Sequence, residues 1–169
     1  MRALTSLGKL IISPLPLPPA WYAAPLRAIL GVGFFLHGYA KLSRGVGGFI
    51  AILHAMGVPL AEALGWVTVA VEIVGGVLIL LGALIPAATI PMTVVLLTAM
   101  FTVHLPYGFS SIKLASYDTS GAHFGPPGYE VDLLYIAGLF ALCIAGPGPL
   151  SVDGWLKARL GRVGIARGW

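Results

Sequence analysis

Apolar residues dominate four stretches of this chain, residues 21–41, 61–81, 85–104 and 128–146, and polar residues gather between them. From Ile73 to Val103 there is no Asp, Glu, Lys, Arg or His. That run is too long for one crossing, since about 20 residues span the hydrocarbon of a bilayer. Gly82-Ala83-Leu84-Ile85-Pro86 interrupts it and predicts two helices joined by a tight turn. The first stretch opens on Trp21-Tyr22 and Pro25, an aromatic anchor followed by a helix-start proline. Between the first two stretches, glycines at 45, 47, 48 and 57 flank residues 49–56, which predict a short helix lying along the outer interface. Small residues at Gly65, Gly75 and Gly76, and at Ala137, Ala141 and Ala145, predict close helix packing. Pro91 predicts a kink in the third helix. Residues 105–127 read as a long aromatic loop, a lid over the outer mouth of the bundle.

The composition places this pattern in a membrane. Of 169 residues, 58% are hydrophobic and only 9% charged, where a soluble domain carries about a quarter charged residues. The expected fold is an all-α membrane protein, a four-transmembrane-helix bundle with N and C termini cytoplasmic. Residues 1–20 form a cytoplasmic Pro-rich arm, 21–150 the membrane domain, and 151–169 a basic interfacial tail with Asp153 near the start of its helix. The net charge of +4 does not point to nucleic acid, because membrane proteins collect Lys and Arg on cytoplasmic flanks. Arg2, Lys9, Arg27, Lys157, Arg159, Arg162 and Arg167 fall on one side, and Lys41, Arg44 and Lys113 on the other. Seven against three puts both termini inside, which needs an even number of crossings. The expected location is a plasma (bacterial inner) membrane, crossed several times. The single cysteine, Cys143, excludes an intramolecular disulfide or a Cys-x-x-Cys centre, so electron transfer would need a bound cofactor, a quinone or a partner protein.

Helix direction then gathers the ionisable groups. His37 and Lys41 end the first helix, His104 ends the third, and Glu130 and Asp132 begin the fourth, all at the outer side. His37, His104 and Glu130 are the candidate catalytic residues of a proton-coupled redox site, since quinone reduction requires proton delivery. Lys41, which would attract an anionic reductant, Tyr39 and Tyr107 are the candidate binding residues. The competing reading is that helices end in polar residues because interfaces are wet. His37 and His104 as haem b ligands find no further support, and no metal-ligand spacing appears. Glu72 lies near the middle of the second helix and cannot reach water. Arg27 is the expected partner, the two forming a buried structural pair.

Arg27-Ala28-Ile29-Leu30-Gly31, Phe34-Phe35-Leu36-His37-Gly38-Tyr39-Ala40-Lys41-Leu42, Met56-Gly57-Val58-Pro59 and Glu72-Ile73-Val74-Gly75-Gly76 together resemble the DoxX family. His104, Gly128-Tyr129-Glu130 and Gly146-Pro147-Gly148-Pro149-Leu150-Ser151-Val152-Asp153 fit the same order, so the resemblance covers roughly residues 25–155. It implies a four-helix inner-membrane protein labelled as an oxidoreductase. Relatives include a quinone-linked subunit of a thiosulfate-oxidising enzyme and a partner in an oxidative-stress complex. The expected function is therefore the membrane-embedded subunit of a quinone-linked oxidoreductase acting in sulfur, thiol or oxidative-stress chemistry. The alternatives are a non-catalytic anchor recruiting soluble redox enzymes and a small-solute transporter. The expected partners are the lipid bilayer, soluble redox subunits and further copies of the chain; quinone is the expected cofactor.

Overall fold

The computed structural model describes residues 19–166, with side chains described for 20–160. The Pro-rich arm lies, but for its last two residues, outside the described residues, as do the side chains of Arg162 and Arg167. After a short 3-10 turn, α1 runs Ala23–Ser43, α2 Val46–Ala55, α3 Ala61–Leu81 and α4 Ile85–Ala99. Two antiparallel strands follow, β1 Leu114–Asp118 and β2 Gly121–Phe124, then α5 Glu130–Ala145 and α6 Val152–Ala166. The chain is mostly helical rather than all-α.

Among the described residues, two helices are long and apolar enough to cross a membrane: Ala61–Leu81, and Ile85–Tyr107 with the turns that continue α4. At 21 residues α1 matches them in length but carries Arg27 and Lys41. Helix α5 has 16 residues, about 24 Å at 1.5 Å per residue, against a hydrocarbon core of about 30 Å. It stops because Gly146 adopts φ 88° and Pro147 follows.

The helices meet through glycines. A Cβ on Gly76 would lie 2.6 Å from the Phe35 nitrogen and 2.7 Å from the Gly31 oxygen, so α1 and α3 touch backbone to backbone. Gly38 faces Glu72 in the same seam, and Gly31 faces Leu80, which makes the pair antiparallel. Gly75 receives Met92 of α4, and Gly138 of α5 receives Leu30. The apolar core joins Leu30 and Phe34 of α1, Ile79 of α3, Ile85 and Met92 of α4, and Leu139 and Leu142 of α5. The opposite faces expose Ile29, Val67, Val74, Ile90, Phe140 and Ile144. So broad an apolar surface is foreign to a protein surrounded by water and suits one surrounded by lipid.

The segment 105–127 is not an irregular lid. Asp118-Thr119-Ser120-Gly121 makes a tight turn in which the Asp118 carboxylate accepts the Ser120 N–H at 2.7 Å and Gly121 takes φ 123°. Strands pair on either side of that turn. The signal was an Asx-type turn flanked by Leu114 and Tyr117 on one side and Ala122 and Phe124 on the other.

Candidate functional site

Lys41 reaches back one turn from the end of α1, past Gly38, and its Nζ lies 2.7 and 2.8 Å from the two carboxylate oxygens of Glu72. Glu72 is buried, and the Lys41 ammonium also lies 5.2 Å from the centre of the Phe49 ring on α2. A carboxylate this far from water needs such a partner, because desolvation of a lone charge costs several kcal/mol. Lys41 is therefore engaged in an ion pair with Glu72.

Arg27 is not that partner. It lies at the opposite end of the bundle and donates to backbone carbonyls alone. Its Nε and Nη2 reach the Leu80 oxygen at 3.3 and 3.1 Å, Nη1 those of Pro147 and Pro149 at 2.8 and 3.0 Å, and Nη2 also that of Leu150 at 2.9 Å. The reason is geometric: in an antiparallel seam, Arg27 faces the end of α3 while Glu72 faces Gly38. The carbonyls it meets are those left unpaired where α3 ends and where the glycine-proline turn after α5 runs. Asp153 closes the same end. It accepts from the Leu84 and Ile85 N–H groups at 3.0 and 3.4 Å and donates its own N–H to the Gly82 oxygen at 3.0 Å, capping α4 from a distant part of the chain.

At the other end, α4 widens into a π turn over Met100–His104. Thr98 and Thr102 donate their hydroxyls to the carbonyls of Val94 and Thr98, at 2.8 and 2.7 Å. Such back-bonding bends helices, and π turns recur at functional sites. The turn brings His104 Nδ1 to 2.5 Å from Asp132 Oδ2 on α5. Asp132 is 4% exposed, and His104 is half-buried. The contact uses Nδ1, so Nε2 of the same ring is left outside it.

Glu130 and His37 take no part in this dyad. The Glu130 carboxylate accepts the Ser111 N–H at 3.0 Å, pinning the root of the hairpin. His37 is exposed on α1, and among the described residues no hydrogen bond reaches it. Packing of Gly33 on Tyr135 and of Leu30 on Gly138 sets His37 near the level of Asp132, so the shared depth holds while the side chains are not joined. Tyr39 is exposed and stacks on Phe35, 6.1 Å between ring centres; Tyr107 is exposed beyond the π turn. Asp132, which is absent from the expected catalytic set, is the carboxylate that His104 meets. Its spacing from His104 carries no sequence signal, because the two meet only through the helix packing. Between α3 and α4 lies an open cavity of about 340 Å³, lined by apolar side chains including Val74, Leu78, Ala87 and Pro91 around Gly75. Its lining is almost wholly apolar.

Residues 22–105 match the family model described as DoxX. The chain is similar to a protein of Bacillus subtilis (strain 168) named "Putative oxidoreductase CatD", 33% identical over 84 residues that cover 50% of this chain and 60% of that protein. No solved structure matches. The family match takes in Arg27, His37, Lys41, Glu72 and His104, and stops before the hairpin, Glu130, Asp132 and the turn after α5. With the glycine-seamed helices, the Lys41–Glu72 pair and the matched half of the sequence all falling in one segment, this chain belongs to the DoxX family, a family of membrane proteins.

Proposed function

We propose that the protein is the membrane-embedded subunit of a quinone-linked oxidoreductase, crossing a bacterial inner membrane four times with both termini in the cytoplasm. The observation that carries the reading is the His104–Asp132 dyad, a half-buried imidazole on a buried carboxylate at the end of a spanning helix. A quinone becomes a quinol by taking two electrons and two protons. A sulfur compound or thiol would supply the electrons. His104 would pass protons from Nε2, and Asp132 would stabilise the imidazolium between transfers. The name of the Bacillus relative and the family membership support a redox role. The basic asymmetry of seven against three supports the orientation, and with it an outward-facing dyad.

The test is quinol formation from a short-chain quinone analogue and a sulfur-compound reductant, with purified protein in vesicles. His104→Ala and Asp132→Asn should each lower the rate by about a hundredfold, the usual scale for a lost proton-transfer group, and shift its pH profile. His37→Ala should leave the rate within a factor of a few. If both dyad variants keep the full rate, the dyad is structural; if the unmodified protein forms no quinol, it is better read as an anchor for soluble redox enzymes.

A further inference from the structure

The strand register makes the hairpin amphipathic. Ser116 pairs with His123 and Asp118 with Gly121, so these side chains share one face; Tyr117 pairs with Ala122 and Leu114 with Phe124, on the other. Ala115 is the extra residue of a bulge between Leu114 and Ser116. Side chains alternate along a strand, so without the bulge Leu114 would fall on the polar face; the added residue turns it to the side of Tyr117 and Phe124. The polar face closes on itself: the Ser120 hydroxyl donates to Asp118 Oδ1 at 2.6 Å, and His123 Nε2 lies 3.0 Å from Asp118 Oδ2. Both contacts of His123 use Nε2, which is not the arrangement of a nucleophile triad.

The apolar face touches almost nothing. Tyr117 is 82% exposed, Phe124 62% and Leu114 59%. A two-stranded hairpin is marginal in water unless its apolar side is covered. Its position is nonetheless set by the root. The N–H groups of Gly128, Tyr129 and Glu130 donate to the carbonyls of Ser110, Gly108 and Phe109, at 3.0, 3.1 and 2.9 Å. A Cβ on Gly128 would meet the Gly108 oxygen, so the two segments lie as close as backbones allow. The root thus sits at the first residues of α5, level with the end of a helix that suits lipid. Exposed apolar side chains continue along the chain from that end, through Phe101, Leu105, Phe109 and Ile112, to the hairpin.

We propose that the hairpin is a membrane-surface paddle whose apolar face, Leu114, Tyr117, Ala122 and Phe124, lies in the lipid headgroup layer beside the bundle. Continuity with the lipid-facing belt selects lipid over a protein partner, and Tyr and Phe are the side chains that interfaces favour. Ser116, Asp118 and His123 then face water, and the Lys113 stem lies along the boundary with its ammonium among the phosphates.

The test uses single cysteines at 114, 117, 116 and 118 in a Cys143→Ala background, each carrying a small environment-sensitive fluorophore. The protein is reconstituted in phosphatidylcholine–phosphatidylglycerol vesicles with and without headgroup-proximal doxyl lipid. Labels at 114 and 117 should be blue-shifted and quenched several-fold more strongly than those at 116 and 118. Equal quenching at all four positions, or none, overturns the proposal. Protection at 117 without doxyl quenching, lost when the protein is diluted in lipid, also overturns it and assigns the face to a second copy.

Discussion

A carboxylate at the midpoint of a 21-residue apolar helix survives here because an ammonium on the neighbouring helix reaches it. Glu72 and Lys41 are coupled, and the coupling is measurable. Glu72→Gln and Lys41→Met should each lower the melting temperature in detergent, and the double variant should recover part of the loss, with a coupling of about 1–3 kcal/mol. Additive effects would show that the pair contributes nothing. Substitution of Arg27 should combine additively with that of Glu72, since the two lie in separate networks. Asp118 makes a pH prediction outside the helices. The Ser120 hydroxyl, the Ser120 N–H and His123 hold its carboxyl below the usual value. A depressed carboxylate stabilises the folded turn above the unfolded pKa, and that contribution fades as pH falls through the folded value. Hairpin amide protection should therefore be level from neutral pH down into the carboxylate range and drop only below it. Asp118→Asn should remove the drop.

Glycines decide which helices touch. Gly76→Ala would drive a methyl group into the backbone of α1 and should destabilise the bundle by about 1–3 kcal/mol, as overpacking does. Gly48, in α2, has open space around its would-be Cβ, and Gly48→Ala should stabilise by about 0.5–1 kcal/mol. Melting curves of the two variants would separate a packing glycine from a merely flexible one. Element by element, the sequence was readable where one period dominated. The charge-free run from Ile73 to Val103 gave α3 and α4, and the glycines at 75 and 76 marked the seam. The hairpin was harder because four- and five-residue strands carry little periodicity, and its bulge breaks even that. The π turn before His104 has no side-chain signature, so the meeting with Asp132 could not be foreseen. Arg27 and Glu72 share a depth only if the seam is slid by about three turns, since Glu72 faces Gly38, and glycine contacts, not charges, set the slide.

On the scale of the whole molecule, the two ends of the bundle differ in kind. The His104 end carries ion pairs and the hairpin; the Arg27 end is a lattice of backbone carbonyls around one guanidinium, capped by Asp153. The orientation proposed above predicts that a cysteine introduced at Ser116 reacts with an impermeant maleimide in intact cells, and one introduced at Lys157 only after the cells are opened. The reverse result would turn the dyad toward the cytoplasm. The lattice at the Arg27 end also imposes an order on biogenesis. Arg27 leaves the ribosome about 120 residues before Pro147 to Leu150, three of its acceptors. At 5–20 residues per second, that interval is on the order of ten seconds. Throughout it, the Arg27 guanidinium lacks three of its four carbonyl acceptors. The turn after α5 thus completes the shell around a side chain of the first helix, and a nascent chain stopped short of Pro147 would carry a visible mark of incompleteness.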